Sequence, residues 1–191
     1  MPEVNIMLDL ETLGTRAGCA ILAIGAVRFG TDLPIPTGEN FYTVVNTRSC
    51  VERYRLKVDP KTEQWWRGQS DGARKVLQEA RECKVGLREA LVNFDAWLNT
   101  QGNKNTLRIW GNGADFDPPI IIACYDVCDM EPPWQFWNNR CFRSLRNLPG
   151  LPPRKKRVAS HHALQDAVDQ AVEAVEILKK LRFNEQTALA L

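Results

Sequence analysis

The sequence predicts an α/β protein: a mixed sheet of about five strands, the first three antiparallel, flanked by helices. Up to residue 46, the apolar and β-branched runs are typical of strands. After residue 59, apolar residues recur every three or four positions, which is the period of a helix. Short apolar runs then return between the helical stretches. This order indicates a mixed sheet with helices packed on its faces.

The first three strands are predicted at residues 5–14 (NIMLDLETLG), 20–29 (AILAIGAVRF) and 40–46 (NFYTVVN). The second is apolar throughout, as expected of a buried central strand. Two prolines and two threonines in residues 31–38 indicate the turn before the third. Because the connections are short, we expect an antiparallel meander.

The later elements follow from helix signals and short apolar runs. Asp59-Pro60 is a helix start, with an acid at the cap and proline at the first helical position. Helices are predicted after Asp59, at about 72–81, from Leu87 to Leu98, over 117–127 and from Leu164 to Leu178, and strands at 107–110 and 141–145. No internal repeat or low-complexity linker divides the chain, so residues 1–191 are expected to form a single domain.

Composition limits the function classes. With 44% apolar and 25% charged residues, the chain resembles an ordinary globular protein. Its formal net charge of +2 means that an anionic partner must be held by local patches and not by the overall field. The six cysteines form no C-x-x-C pair and there are only two histidines, so a zinc site has little support. We expect reduced thiols in a cytoplasmic protein. No apolar run approaches the ~18 residues that span a membrane.

Asp9 and Glu11 lie two apart on the first predicted strand, so both side chains point to the same face. One interpretation is an edge strand whose polar face meets solvent. However, Ile6, Leu8 and Leu10 suggest an internal strand, on which two carboxylates need compensation. A divalent cation would supply it.

Two further acidic segments are weak signals by themselves. In residues 110–117 (WGNGADFD), Asp117 could cap the helix that follows and Asp115 could be a surface acid. In residues 161–167 (HHALQDA), Asp166 lies off the apolar stripe of the last helix, where a solvated acid is common. Their joint order with D-x-E is far more informative than either segment.

The order D-x-E, N-(G)-A-x-F-D and H-x-A-L-x-D-A resembles the three motifs of the DEDDh 3′→5′ exonucleases, members of the DnaQ-like superfamily with an RNase H-like fold. The resemblance extends from residue 9 to 166 and is strongest to the small phage and bacterial exonuclease VIII-type branch. It implies that the ligands of two Mg²⁺ or Mn²⁺ ions are Asp9, Glu11, Asp117 and Asp166. It also implies that His161, five residues before Asp166, is the general base.

Two of these assignments involve a choice between neighbours. Asp117, and not Asp115, follows the phenylalanine as the motif requires, although Gly113 is an extra residue after Asn112. His161 keeps the motif spacing, whereas His162, one helical turn from Asp166, is expected only to flank the site. A phage-encoded protein of this type would act in the host-cell cytoplasm.

The implied reaction is hydrolysis of single-stranded DNA or RNA from its 3′ end, with release of nucleoside 5′-monophosphates. Four carboxylates can balance two divalent cations, and oxygen ligands suit Mg²⁺ and Mn²⁺. Two such ions can bind the attacking and leaving oxygens of a phosphodiester, while a histidine accepts the proton of water. Two other functions stay open: a catalytically silent nucleic-acid-binding protein on the same fold, and an RNase H-type endonuclease.

The substrate contacts are predicted less sharply. By resemblance, Thr12, Leu13 and Gly14 contact the terminal nucleotide, and Asn112 belongs to the substrate-binding set. Adjacent residues on a helix point about 100° apart, so one of Trp65 and Trp66 is expected to pack and the other to stack on a base. Trp66 is preferred for the substrate side; the alternative is that both hold the helix to the sheet.

Basic residues precede the histidine motif: Arg140, Arg143 and Arg146, then RKKR at 154–157. Next to the predicted site they are expected to meet phosphates, with Arg143 in the substrate-binding set, although a solvated basic loop is the alternative. The proline-rich segment 148–153 could order that loop or form a subunit contact. A homodimer, and the choice between DNA and RNA, stay open.

Overall fold

The computed structural model describes residues 3–32, 39–151 and 161–188, with side chains described as far as residue 181. Its five strands are β1 Val4–Thr12, β2 Ile21–Phe29, β3 Asn40–Val44, β4 Leu107–Gly111 and β5 Asn139–Cys141. They form one sheet in the order β3-β2-β1-β4-β5. The pairs β1–β2 and β2–β3 are antiparallel, whereas β1–β4 and β4–β5 are parallel. The predicted mixed sheet is therefore confirmed.

In the part of the chain that the structure describes, six α-helices surround the sheet: α1 Pro60–Arg67, α2 Asp71–Glu82, α3 Leu87–Gln101, α4 Asp117–Val127, α5 Phe142–Arg146 and α6 Ala163–Ala188. Two short turns, π-helical at Ser49–Arg53 and 3₁₀ at Phe136–Asn138, complete the described elements. Asp59 caps α1 as predicted, accepting a hydrogen bond from the Lys61 amide. No helix of the described residues is long and apolar enough to cross a membrane.

The predicted position of the fifth strand, at 141–145, is wrong. The strand ends at Cys141, where pairing with β4 stops, and the chain turns at once into α5. Cys141 favours the turn: its Sγ accepts a hydrogen bond from the Ser144 amide at 3.4 Å. Phe142 is then buried against the sheet as part of the helix. Residues 33–38 of the predicted 31–38 turn lie outside the described residues.

The core has two layers, one on each face of the sheet. Leu8 and Leu10 of β1 belong to the layer that α2, α3 and α4 cover, whereas Met7 faces the layer covered by α6. Alanines 163, 167, 171 and 174 are all buried on α6. The buried side of this helix is thus rotated from the predicted stripe: Ala171 and Val175 are buried, whereas Leu164, Val168 and Leu178 are only half-buried. Small side chains let α6 lie close to the sheet, directly over the face that bears the two β1 acids.

Candidate active site

Asp9 and Glu11 lie on the α6 face of β1, which is the central strand of the sheet. The one-face prediction from their spacing therefore holds, while the solvent-facing edge-strand interpretation does not. Glu11 is only 7% exposed. Asp9 is directly opposite Gly25 in the β1–β2 ladder.

Gly25 explains how α6 reaches these acids. A Cβ atom at this position would lie 2.2 Å from both the Ala163 carbonyl carbon and the Leu164 amide nitrogen. The first turn of α6 thus rests on the bare backbone of β2, beside Asp9. As a result, carboxylate oxygens of Asp9, Glu11 and Asp166 all lie within 4.8 Å of one another.

Asp117 adjoins this three-carboxylate cluster and is 1% exposed. Its Oδ1 accepts a hydrogen bond from the Leu10 amide at 3.1 Å, and its Oδ2 accepts one from the Asn112 amide at 3.0 Å. It does not serve as the N-cap of α4, a position held by Phe116. Instead its carboxylate joins β1 to the loop after β4, whereas Asp115 is exposed.

Burial raises the pKa values of Asp9, Glu11 and Asp117, and repulsion between carboxylates adds to the effect at Asp9 and Glu11. Burial, followed by the charges of Asp117 and Glu11, holds the pKa of Asp9 well above its usual range. Burial, then the charges of Asp166 and Asp117, raises the pKa of Glu11 to about 8. Burial also raises the pKa of Asp117 to about 6, against hydrogen bonds from backbone amides. Such a set of buried and half-buried carboxylate oxygens is suited to a hard divalent cation such as Mg²⁺ or Mn²⁺.

Gln170 is a site residue that sequence reasoning did not assign. Its Nε2 donates a hydrogen bond to Asp9 Oδ1 at 2.7 Å. Its own Oε1 is buried and accepts no hydrogen bond from the described residues. Gln170 lies one helical turn after Asp166, so the i+4 spacing on α6 is the signal that could have identified it.

The two histidines face different surroundings. His161, in the left-handed region at φ 50°, lies edge-on to Trp65 at 5.0 Å and to Trp66 at 5.9 Å between ring centroids. It lines a cavity of about 580 Å³ together with Asp9, Glu11 and Asp166. His162 instead stacks on Tyr42 of β3, with ring centroids 4.5 Å apart. Of the two, His161 is the one that shares a cavity with the acids.

The two tryptophans of α1 both line the first cavity but differ in exposure, and the greater exposure of Trp65 does not support the preference for Trp66 as the stacking residue. Trp66 is 1% exposed, and its Nε1 donates a hydrogen bond to the Thr12 carbonyl at 2.8 Å. Its indole is therefore packed and satisfied at the end of β1. Trp65 is 47% exposed and presents its ring to the first cavity.

The loop after β1 only partly matches its predicted role. Thr12 and Gly14 line the first cavity, and the Thr12 hydroxyl donates a hydrogen bond to the Gly14 carbonyl at 2.6 Å. Leu13 does not reach the cavity, because its side chain packs in the core. Its amide and carbonyl are also occupied, by Ala20 and Asp59 respectively.

A second cavity of about 620 Å³ adjoins the first, because the two share Asp9, Thr15 and Phe116. Asn112 and Arg143 line it, and Arg143 Nη2 donates a hydrogen bond to the Asn112 carbonyl at 2.7 Å. This guanidinium also lowers the pKa of Asp117 against the effect of burial.

The other predicted basic residues are placed differently. Arg146 does not face a phosphate site: it forms an ion pair with Glu173 of α6, in which both side chains are largely buried. Arg140 lies on β5 at the edge of the sheet. The RKKR run at 154–157, and residues 152–153 of the proline-rich segment, lie outside the described residues.

Proteins of similar sequence are described as exonucleases. A family model described as the 3′-5′ exoribonuclease Rv2179c-like domain matches residues 4–178. The exodeoxyribonuclease of Enterobacteria phage T4 is 23% identical over a matched length of 162 residues, and the match covers 73% of this chain and 69% of the phage protein.

Two solved structures share the fold. The nuclease domain of 3′hExo, a DEDDh family member solved with rAMP bound, superposes with a TM-score of 0.62 at 13% identity, over 94% of this chain and 93% of that domain. Cell-death related nuclease 4 (CRN-4) gives a TM-score of 0.64 at 12% identity over 94% of this chain. The chain spans 64% of the length of CRN-4.

Proposed function

Because the chain belongs to the 3′-5′ exoribonuclease Rv2179c-like family, and so is a DEDDh-type, DnaQ-like exonuclease, we propose that it degrades single-stranded DNA or RNA from the 3′ end with the help of two divalent cations. The observation that supports this most directly is the cluster of Asp9, Glu11 and Asp166, whose ligand oxygens lie within 4.8 Å of one another. We further propose that residues 1–191 act as a single exonuclease domain.

The four acids would hold Mg²⁺ or Mn²⁺. Asp9, Glu11 and Asp166 provide the central oxygens, and Asp117 closes the side next to the second cavity. Bound cations would stabilise negative charge on the reacting phosphate and lower the pKa of the attacking water. The chain supplies the rigid frame: β1 holds Asp9 and Glu11, Gly25 admits the α6 turn that bears Asp166, and the Leu10 amide fixes Asp117.

His161 is assigned as the general base. Its imidazole accepts a proton from the water that attacks the terminal phosphorus, the bond to the 3′ oxygen breaks, and a nucleoside 5′-monophosphate leaves. The proton then passes to solvent, and the departing 3′ oxygen takes one up. Trp65 and Trp66 lie against this imidazole and limit the orientations that its ring can adopt.

The terminal nucleotide is assigned to the first cavity. Thr12 and Gly14 form part of its wall, and the exposed ring of Trp65 offers a surface on which a base can stack. Asn112 and Arg143 are assigned to the phosphate of the preceding nucleotide, because they line the second cavity beside Asp117. Homodimer formation stays a prediction that sedimentation velocity would test.

Digestion of 5′-labelled single strands tests the reaction. With Mg²⁺ or Mn²⁺, we expect DNA or RNA of the same sequence to shorten one nucleotide at a time from the 3′ end, and EDTA to stop the reaction. Strands with a blocked 3′ end and circular strands should stay intact. Cleavage of the circle would contradict an exonuclease and favour an endonuclease, whereas an unchanged ladder with both sugars would contradict the enzyme.

Paired variants test the site assignments. Asp117→Asn is expected to lose most activity, while Asp115→Asn, an exposed acid two residues away, keeps it. His161→Asn should lower kcat by about 10²–10⁴-fold, the usual contribution of a general base, while His162→Asn changes it far less. Equal losses at the two histidines would remove the basis for assigning the base to His161.

A further inference from the structure

We propose that the edge of the sheet carries a second contact site for single-stranded nucleic acid, which binds the strand on the 5′ side of the nucleotide being removed. This edge platform consists of Phe136, Trp137 and Arg140. The proposal rests on the proposed function, because it concerns how the same substrate extends beyond the two cavities.

The platform presents two large aromatic rings to solvent. Phe136 is 73% exposed and Trp137 is 60% exposed, and their ring centroids lie 4.8 Å apart with the ring planes at 81°. Adjacent exposed aromatic rings are uncommon on a protein surface without a binding role. Bases can stack on such faces whatever their sequence.

The exposure is not the result of a loosely held segment. Trp134 is buried edge-on against Tyr125, at 5.6 Å between ring centroids, and its Nε1 donates a hydrogen bond to Asn139 Oδ1 at 3.0 Å. Asn138 is buried, and its Nδ2 donates a hydrogen bond to the Asn105 carbonyl at 3.4 Å. The residues on either side are therefore anchored, and the turn between them holds the two rings outward.

Arg140 adds positive charge at the same place. Its Nη1 donates hydrogen bonds to the Trp137 and Asn139 carbonyls, each at 3.0 Å, so the guanidinium is held beside the aromatic turn. Within the described part of the chain it forms no ion pair, unlike Arg146, which pairs with Glu173. A positioned guanidinium next to exposed rings complements the phosphates and bases of a single strand.

The platform is connected to the proposed site through β5. Arg140 is followed by Cys141, which lines the second cavity together with Arg143 and Asp117. The three residues of β5 span about 10 Å at the usual rise of a strand. A single strand whose 3′ end lies at the acid cluster could therefore pass Arg143 and reach Trp137 within a few nucleotides.

The test compares a substrate that reaches the platform with one that cannot. The p-nitrophenyl ester of thymidine 5′-monophosphate occupies only the reacting subsites, whereas an oligonucleotide of about twelve nucleotides is long enough to extend past β5. For Phe136→Ala/Trp137→Ala, we expect KM for the oligonucleotide to rise about 5- to 100-fold, while hydrolysis of the ester is unchanged. The control is Val92→Ala on α3, which also removes an exposed apolar side chain (48% exposed).

Direct binding separates this proposal from the proposed function. Anisotropy of a labelled strand, measured in EDTA, should show the same 5- to 100-fold weakening in the double variant even if no hydrolysis is seen. Arg140→Gln should reduce the slope of the logarithm of the binding constant against the logarithm of the salt concentration by about 0.7, which is the value for one single-strand phosphate contact. The control variant Lys84→Gln should leave this slope unchanged.

Three results would overturn the proposal. One is an unchanged oligonucleotide KM and affinity in the double variant. Another is an equal loss on the ester, because the residues would then act through the fold. The last is loss of self-association in sedimentation with strand binding intact, which would assign the platform to a protein interface. The wild-type protein could instead cleave neither substrate while its strand binding still depends on the platform. That result would contradict only the proposed function.

Discussion

The acid cluster should make the metal-free protein less stable as pH rises. Burial raises the pKa of Glu11 from 4.5 to about 8, so the folded protein binds this proton more tightly than the unfolded chain does. The stabilisation that the bound proton provides is present below about pH 4.5 and is lost as pH rises through about 8. The raised pKa values of Asp9 and Asp117 act in the same direction.

The size of the effect follows from the pKa of Glu11. At about 1.36 kcal/mol for each pKa unit, its rise corresponds to about 4 to 5 kcal/mol once the group is ionised in the folded protein. Because Glu11 is only 7% exposed, solvent screening removes little of this. For a chain of this length, where 1 kcal/mol shifts Tm by about 2–4 °C, the Tm in EDTA should fall by about 10 °C or more between pH 5 and pH 8.

Thermal unfolding followed by circular dichroism measures this fall. Glu11→Gln keeps the shape of the side chain without the charge, so it should remove a large part of the pH dependence. Glu176→Gln, at an exposed position on α6, is the matched control and should leave the dependence intact. Saturating Mg²⁺ or Mn²⁺ should restore stability at pH 8, by about 2.7 kcal/mol at a hundred times Kd. A constant Tm from pH 5 to pH 8, or an equal fall in Glu11→Gln, would refute the reasoning.

Three further changes test the frame around the acids. Gly25→Ala forces the first turn of α6 away from β2, so we expect a loss of about 1–3 kcal/mol in stability and weaker Mn²⁺ binding by titration calorimetry. Gln170→Leu removes the hydrogen bond to Asp9 and should weaken Mn²⁺ binding by about 10–100-fold, with the same circular dichroism spectrum. Trp66→Phe leaves the Thr12 carbonyl without its donor and should lower the free energy of unfolding by about 1–3 kcal/mol in urea titrations.

The changes at Gly25 and Trp66 each have a comparison within the chain. Gly72→Ala places a methyl group where no atom lies within 4 Å, so it should leave stability unchanged or improve it by up to about 1 kcal/mol. If Gly25→Ala behaved in the same way, the close approach of α6 would not constrain the site. Trp65→Ala should raise KM with little change in stability. If Trp65→Ala instead lowered stability, and Trp66→Phe raised KM without lowering stability, the roles assigned to the two tryptophans would be reversed.

Local periodicity explains what could be predicted about the site. Two-residue alternation placed Asp9 and Glu11 on one face of β1, and the motif spacing selected Asp117 over Asp115. Neither step needs knowledge of distant contacts. The relative burial of the two tryptophans does depend on distant contacts. The sequence of α1 gives two directions for its tryptophans, and the Thr12 carbonyl at the end of β1 decides that Trp66 is the buried one.

Gly25 and the fifth strand illustrate the same limit. Nothing near Gly25 in the sequence indicates that residues 163 and 164, far along the chain, will pack on its backbone. The run at 141–145 is too short for its hydrophobic periodicity to distinguish a strand from a helix. It is helical from Phe142 because pairing with β4 ends at Cys141.

The left-handed backbone of His161 affects how an inactive protein should be made for studies of bound nucleic acid. Alanine at this position would add a conformational cost of about 1–2 kcal/mol, whereas asparagine and glycine adopt this conformation readily. An alanine variant would therefore confound loss of the imidazole with displacement of the α6 turn that bears Asp166. His161→Asn is the substitution best suited to trap an uncleaved strand with the metal ligands still in position.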